Sequence, residues 1–415
     1  MNFKKICVVG LGYIGLPTAA TFASRDVEVM GVDVNEDVIA CINNGEAHIV
    51  EPDLDYIVQG TVASGKLKAY NAPQKAEAFI IAVPTPLRDG RYPDIGMVKE
   101  ATASIAPVLE KGNLVILEST SPVGTTEIIQ DILKEARPDL TFPCDAGDDS
   151  DISIAYCPER ILPGRLLIEL VENDRIIGGL SAHSAKLACD LYGAFVVGKM
   201  LRTTAPTAEM VKLSENTYRD VNIALANELA LVCREKGIDP WEMIKLANHH
   251  PRVNILSPGP GVGGHCIAVD PWFVVDSAPE IAKLVKTARL VNEARPGQVV
   301  AEIQQMASEF KHPKIACLGL AYKPNIDDIR ESPAVDIVKE LAEKAQGEAQ
   351  LLVVEPYLEK LPKQLDKENI KLVNLETALN DAHIVVLLVD HNAFVDLSLK
   401  DLKNKVILDT RGVWN

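Results

Sequence analysis

The amino-acid sequence predicts an α/β protein in which two doubly wound, parallel-sheet domains are joined by a long central helix and a helical middle region. Three observations predict it. Short Val- and Ile-rich runs alternate with longer helical stretches over roughly the first half of the chain, and the same alternation resumes at Lys314. Between them, residues 206–237 have no internal Gly or Pro. At 415 residues, with 47% hydrophobic and 24% charged, the chain is too long for a single core of common size. The expected domains are residues 1–203, 204–310 and 311–415.

Taken in order, strands are expected at residues 5–9, 28–32, 78–83, 114–118 and 154–156, each a short apolar run of the kind that parallel sheets bury on both faces. In 206–237, Met210, Leu213, Val221, Leu225, Leu229 and Val232 recur at helical spacing, giving one helix of about 45 Å at roughly 1.5 Å per residue. So long a helix has apolar surface to spare. A partner subunit is expected to cover it, which makes the protein a homodimer. Residues 239–310 read as mainly helical, interrupted by Ser257-Pro-Gly-Pro-Gly-Val-Gly-Gly264, which no regular element accommodates. Strands return at 315–318, 351–354, 384–389 and 406–408 in a second, smaller α/β domain.

Composition excludes several functions. Lys and Arg number 42 against 58 Asp and Glu, a formal charge of -16, so nonspecific nucleic-acid binding is disfavoured. The longest aliphatic runs fall far short of the roughly 20 residues that span a bilayer. The N-terminus passes from Lys4-Lys5 straight into Ile6-Cys7-Val8-Val9, leaving no room for a signal peptide, and a cytoplasmic protein is expected. Eight scattered cysteines include no Cys-x-x-Cys pair, so neither a metal site nor a disulfide framework is expected.

Gly10-Leu-Gly12-Tyr13-Ile14-Gly15 follows the first strand and opens a helix, the context that a Rossmann-like dinucleotide site requires. Gly10 makes the tight turn, Gly12 lets a pyrophosphate approach the backbone, and Gly15 lets helix and strand pack closely. Asp33, 18 residues beyond Gly15, can bond ribose hydroxyls and repels a 2′-phosphate, so NAD is favoured over NADP. Val83-Pro-Thr85-Pro86 and Glu118-Ser-Thr120-Ser-Pro-Val-Gly124 each follow a strand, where ligands of open sheets bind, although Pro and Thr also serve as plain turn residues. Cys266 lies just behind Gly261-Val-Gly263-Gly264-His265, with Asp270 four residues on: a nucleophile with a polar partner, or an inert buried thiol. Lys212 and Asn216 share one side of the long helix, as a site or as a solvated face.

These motifs, with Tyr156-Cys-Pro-Glu159-Arg160 and Ala321-Tyr-Lys323-Pro-Asn-Ile-Asp-Asp-Ile-Arg330-Glu331, resemble the nucleotide-sugar 6-dehydrogenases, whose best-known members oxidise UDP-glucose or GDP-mannose. The resemblance runs in order along the whole chain. Around the cysteine, Pro258 to Phe273 is similar to the branch acting on UDP-N-acetylhexosamines, and Ala268 with Trp272 and Phe273 looks nearest the members using UDP-N-acetyl-D-mannosamine. UDP-N-acetylglucosamine or its galacto epimer is the alternative.

What the resemblance implies is a four-electron oxidation of a primary alcohol to an acid, with Cys266 carrying a thiohemiacetal and then a thioester. It implies Lys212 and Asn216 as oxyanion donors, Asp270 as the group orienting the lysine or a water, and Thr120 and Glu159 beside the reacting carbon. Glu159, Arg160, Lys212, Asn216, Arg252, Gly263, Lys323 and Arg411 would meet the substrate, Arg252 from the neighbouring subunit. Gly10, Gly12, Tyr13, Ile14, Gly15, Asp33, Thr85, Thr120 and Arg330 would meet the cofactor. The competing readings are a nucleotide-sugar-sensing binding protein and a hydroxy-acid dehydrogenase, which needs no cysteine.

Overall fold

The computed structural model describes residues 3–89, 91–161, 164–264, 266–345, 348–398, 400 and 402–414. The chain forms two compact units, residues 1–215 and 216–415, and the division falls inside the central helix.

The first unit runs β1 (Lys5–Val9), α1 (Gly15–Ser24), β2 (Glu28–Val32), α2 (Glu36–Asn43), α3 (Leu54–Ala63), β3 (Leu67–Tyr70), β4 (Ala78–Ile81), a small hairpin of β5 (Leu87–Arg88) and β6 (Tyr92–Pro93), and α4 (Gly96–Ile105). It continues with β7 (Leu114–Leu117), α5 (Thr125–Ala136), α6 (Pro143–Ala146), β8 (Ser153–Tyr156), α7 (Leu166–Glu172), β9 (Arg175–Gly179), α8 (Ala182–Tyr192), β10 (Met200–Thr204) and the long α9 (Ala205–Glu235). The large sheet is ordered β3-β2-β1-β4-β7-β8-β9-β10. The order reverses between β1 and β4, which opens a crevice at their carboxyl ends. One apolar cluster fills each face, and β4, β7 and β8 are buried at every position, which is why their sequences show no alternation.

The sheet departs from the wholly parallel one expected. β9 runs antiparallel to β8, with Ala155 opposite Gly179 and Tyr156 opposite Gly178, and β10 then runs parallel to β9. The short α7 between β8 and β9 returns the chain along the same edge without crossing the sheet. β3, β10 and a three-residue strand at Ile370–Leu372 in the second unit lack a signal in the sequence because they are short or carry exposed positions, and β9 lacks one because it ends in two glycines. Several expected strands stop earlier, at Ile81, Leu117 and Leu387, because the next residues turn out to build the loops at the carboxyl edge.

The second unit contains α10 (Pro240–Ala247), α11 (Asp270–Ser277), α12 (Lys283–Ala307), β11 (Lys314–Leu318), α13 (Pro333–Lys344), β12 (Gln350–Val354), β13 (Ile370–Leu372), α14 (Leu375–Asp381), β14 (Ile384–Leu387), α15 (Asn392–Val395) and β15 (Val406–Asp409). Its parallel sheet is ordered β13-β12-β11-β14-β15, with apolar clusters on both faces and the order reversing between β11 and β14. α9 covers 31 residues, and Gly237 in the left-handed region at φ 67° closes its end. Among the described residues, no helix is long and apolar enough to cross a membrane, and no His, Cys, Asp or Glu cluster could hold a metal ion.

Polar contacts join the second half of α9 to α12. Arg289 donates to the fully buried Asp220 Oδ1 at 2.6 Å, Asn292 Nδ2 donates to the same oxygen at 2.8 Å, and Asn227 Nδ2 donates to Asn292 Oδ1 at 3.0 Å. A buried guanidinium stripped of its carboxylate is costly because nothing replaces the lost solvation. Asp220→Ala is therefore expected to lower unfolding free energy by about 3–5 kcal/mol in urea denaturation; a loss below about 1 kcal/mol would show that Arg289 regains solvent.

Candidate active site

At the crevice of the first unit, Gly10 adopts φ 92° and donates its N–H to Val32 O at 2.8 Å. A Cβ there would lie 2.5 Å from Ala82 O, and one at Gly15 would lie 1.8 Å from Gly10 O, so turn, helix and β4 meet at backbone distance. A Cβ on Gly12 would meet nothing within 4 Å. The turn thus has one open position, where a phosphate can approach the start of α1. Asp33 is half-buried, its Oδ2 accepting from Leu11 N at 3.0 Å and its Oδ1 from Asn35 N at 2.9 Å. Glycine turn and acid fit a dinucleotide, with Tyr13 and Ile14 between them.

The two threonines suspected from sequence come together, Thr85 Oγ1 donating to Thr120 O at 2.6 Å. Downstream, the buried Glu209 of α9 accepts from Gly124 N (2.7 Å), Thr126 N (2.9 Å) and Thr126 Oγ1 (2.6 Å), which fixes the Ser-Thr-Ser loop at the start of α5. Glu159 is buried, with Arg175 donating to its Oε2 at 2.8 Å and Arg160 N to its Oε1 at 2.9 Å. The Arg160 guanidinium is engaged by Glu215 at 2.7 Å and by the carbonyl of Asp174. Lys212 and Asn216 lie one turn apart on α9, both buried.

The cysteine loop belongs to the second unit. Cys266 is exposed, and its carbonyl accepts from Val269 N at 3.1 Å and Asp270 N at 2.9 Å, a turn that leads directly into α11. Asp270 is buried, and Asn216 Nδ2 donates to its Oδ2 at 2.5 Å. Asp270 is expected from the resemblance to orient Lys212 or a water, and the bond seen here is to Asn216. His265 lies outside the described residues. Close approach requires glycine at two positions, since a Cβ on Gly263 would lie 2.4 Å from Glu331 O and one on Gly261 2.7 Å from Pro333.

A cavity opens at the crevice of the second sheet, where Lys323, Arg411 and Asp390 line it with Tyr322 and Gly261. Arg411 Nε donates to Asp390 Oδ1 at 2.9 Å. Arg330 folds back in a two-pronged pair with Asp328, at 2.9 and 2.7 Å. Arg252 is exposed on the turn after α10.

Several residues that no sequence motif marks hold these parts in place. Asn222 mimics a peptide group towards the loop, donating to Asn254 O at 2.9 Å and accepting from Leu256 N at 3.0 Å. Asn227 accepts from Gly259 N at 2.9 Å while Arg295 donates to Gly259 O at 3.1 Å. Glu51 accepts from Gly164 N at 2.8 Å and from the Tyr13 hydroxyl, joining the glycine turn to the segment after Glu159. For Asn222 and Asn227 the one signal is that they continue a series of asparagines begun by Asn216, of a residue type that helix interiors disfavour.

Comparison with known proteins places this architecture. The models of the UDP-glucose/GDP-mannose dehydrogenase family match its NAD binding domain at residues 4–196, its central domain at 206–294 and its UDP binding domain at 316–415. An NDP-N-acetyl-D-galactosaminuronic acid dehydrogenase of Ralstonia nicotianae is 55% identical over 415 residues, covering 100% of this chain and 97% of the relative. A UDP-N-acetyl-D-mannosamine dehydrogenase of Campylobacter jejuni is 57% identical over 398 residues, covering 95% and 97%. The native structure of the UDP-N-acetyl-mannosamine dehydrogenase from Staphylococcus aureus superimposes with a TM-score of 0.85 at 42% identity, covering 99% of this chain and 95% of that one. With three domain models in chain order and relatives above 50% identity along its length, this chain belongs to the UDP-glucose/GDP-mannose dehydrogenase family.

Proposed function

We propose that the protein is an NAD-dependent UDP-N-acetyl-D-mannosamine 6-dehydrogenase, which oxidises the C6 alcohol to the uronic acid for surface-polysaccharide precursors in the cytoplasm. The observation that carries it is the exposed Cys266 on a turn closed to Asp270, whose buried carboxylate is held by Asn216. A single oxidation needs no such thiol, which weighs against a hydroxy-acid dehydrogenase, and a sensing protein needs no such constellation. NAD, when bound at Gly10, Gly12, Gly15 and Asp33, accepts one hydride in each of two oxidations.

The chain's own residues do the rest. The Cys266 thiolate adds to the carbonyl carbon of the C6 aldehyde, which keeps the aldehyde from escaping and sets up the thiohemiacetal for the second oxidation. Water attacks the resulting thioester, the C–S bond breaks, and acid and thiolate are released. Lys212 and Asn216 donate to the oxyanions, Asp270 fixes the Asn216 amide, and Thr120 and Glu159 hold the water and move its proton. Lys323 and Arg411 take the diphosphate end, and Arg330 serves the cofactor. Arg160 braces the Glu159 loop through Glu215. Met210, Leu225 and Val232, exposed on α9, are the face that a second copy covers, with Arg252 reaching the partner's site.

The galacto epimer is the second reading, favoured by the name of the Ralstonia relative. An acetamide presents a donor and an acceptor, and a site built to pair them is left with unsatisfied polar groups when a plain 2-hydroxyl takes its place, so UDP-glucose is a poor substrate in either case. Rates on epimerase-free substrates are expected to rank UDP-N-acetyl-D-mannosamine first, with two NADH formed per acid. Preference for the gluco or galacto epimer would overturn the epimer alone; preference for UDP-glucose would overturn the acetamido-sugar assignment.

Cys266→Ala is expected to abolish acid formation while NAD still titrates normally. Acid production at the wild-type rate would remove the cysteine from the mechanism.

Asp33→Ser loses a ribose acceptor, a charge that repels a 2′-phosphate, and the brace on Leu11 N. NAD use is expected to weaken by about 1–3 kcal/mol in kcat/KM, and the gap to NADP to narrow. An unchanged NAD/NADP ratio would place cofactor selection elsewhere.

A further inference from the structure

Glu159 does not stand alone at the carboxyl edge of the first sheet. The antiparallel register of β8 and β9, carried three residues past Tyr156, sets Glu159 opposite Arg175, the first residue of β9. Were β9 parallel like its neighbours to the other side, its first residue would lie at the far edge. The reversal is what brings this arginine to the edge where ligands bind.

We propose that Arg175 is a positioning residue for the reaction, holding the Glu159 carboxylate in place, with Glu118 as its second, buried counter-ion. The inference rests on the reading of Glu159 as a group beside the reacting carbon.

Arg175 is 3% exposed. One nitrogen donates to Glu159 Oε2 at 2.8 Å, and another lies 3.8 Å from Glu118 Oε1 and 3.7 Å from the Cys157 sulfur. Its plane packs over the rings of Tyr192 at 4.6 Å and Phe195 at 5.6 Å, so the guanidinium cannot swing away. Glu118, at the end of β7, accepts from the Tyr192 hydroxyl at 3.0 Å and from Thr18 Oγ1 at 3.3 Å. Carboxylates from two strand ends thus share one cation, and the charges do not cancel. Burial and the neighbouring Glu159 charge push the Glu118 carboxyl up to about 7, against the pull of Arg175. The other titratable groups facing it are silent near neutrality: burial pushes the Cys157 thiol up to about 12 and the Tyr192 phenol well above its usual range. Protonation of Glu118 leaves Arg175 wholly to Glu159, and its ionisation divides the guanidinium between the two. A structural ion pair alone would change stability without touching turnover.

The full-length enzyme carrying Arg175→Lys, Arg175→Met, Glu118→Gln or Glu159→Gln is assayed for kcat and KM across the neutral range, with thermal unfolding measured in parallel. Arg175→Lys, which keeps the charge without the fork, is expected to lower kcat by about a hundred-fold while both KM values stay near wild type. Arg175→Met is expected to fall further. Glu118→Gln, which is nearly isosteric and folds where Arg175→Met fails to, is expected to erase an inflection of kcat near pH 7. Wild-type kcat and pH profile in both Arg175→Lys and Glu118→Gln, with Glu159→Gln impaired, would overturn the positioning role and leave the Glu159 reading standing. Wild-type turnover in Glu159→Gln would remove that reading, and this inference with it.

Discussion

Each α/β unit meets the same constraint, that the N–H following a glycine turn be answered by an acid one strand away. In the first, Leu11 N–H reaches Asp33 Oδ2 at 3.0 Å; in the second, Leu320 N–H reaches Glu355 Oε2 at 2.7 Å. The preceding glycines, Gly10 and Gly319, adopt φ 92° and 95° and donate to Val32 O and Val354 O, both at 2.8 Å. Without a carboxylate at that point the turn would leave a donor unanswered beneath the helix. The two turns then part. Gly12 leaves open space and Gly15 lets α1 begin at once, so the first turn keeps a phosphate cradle. In the second, Ala321 replaces the open glycine, Glu355 is buried against His391 at 3.1 Å, and α13 does not begin until Pro333. The intervening loop is the surface on which Gly261, Gly263 and Gly264 lie.

Those glycines raise the matter of what holds the loop that leads to Cys266. Gly, with the most backbone entropy to lose, is a poor choice for a rigid loop unless something else pins it. Here helix side chains do. Asn222 and Asn227 bond its backbone as another peptide would, Arg295 takes the Gly259 carbonyl, and Asn216 holds Asp270 where the loop enters α11. The Asp220, Arg289 and Asn292 cluster then orients Asn227. The loop's geometry is therefore set by α9 and α12, and Cys266 inherits it.

This division explains what the sequence discloses. Most strands of both sheets, the extent of α9, the glycine turn with Asp33 and the cysteine loop depend on local composition, so they are readable in a single chain. Arg175 is not readable, because its place depends on the direction of β9, and nothing in Arg175-Ile-Ile-Gly-Gly distinguishes a parallel strand from an antiparallel one. Glu118 reads as the end of an apolar run, and only the fold reveals that the run ends beside Arg175. Asn222 and Asn227 show in the sequence only as asparagines inside a long helix, and what they hold is hidden because the loop is 32 residues or more away. Arg160 and Arg330, marked by motif, are engaged by Glu215 and Asp328, which motif alone does not show.

On the proposed function, a chain of formal charge -16 has to accommodate a dianionic diphosphate. At physiological salt, charges more than about 8 Å away are largely screened, so most of the carboxylates scattered over the surface act on the site only weakly. What would decide is the short-range set at the crevice of the second sheet, where Lys323 and Arg411 line the cavity. Asp390 tempers that set but also aims it, since its bond to Arg411 Nε leaves the remaining donors of the guanidinium for other partners. The Arg411 backbone is fixed as well, because Asp409 accepts its N–H at 2.8 Å and that of Gly412 at 2.7 Å. On the proposed function, recognition of the anion would rest on a few oriented donors at strand ends, and it is compatible with an acidic surface because it does not draw on the field of the whole molecule.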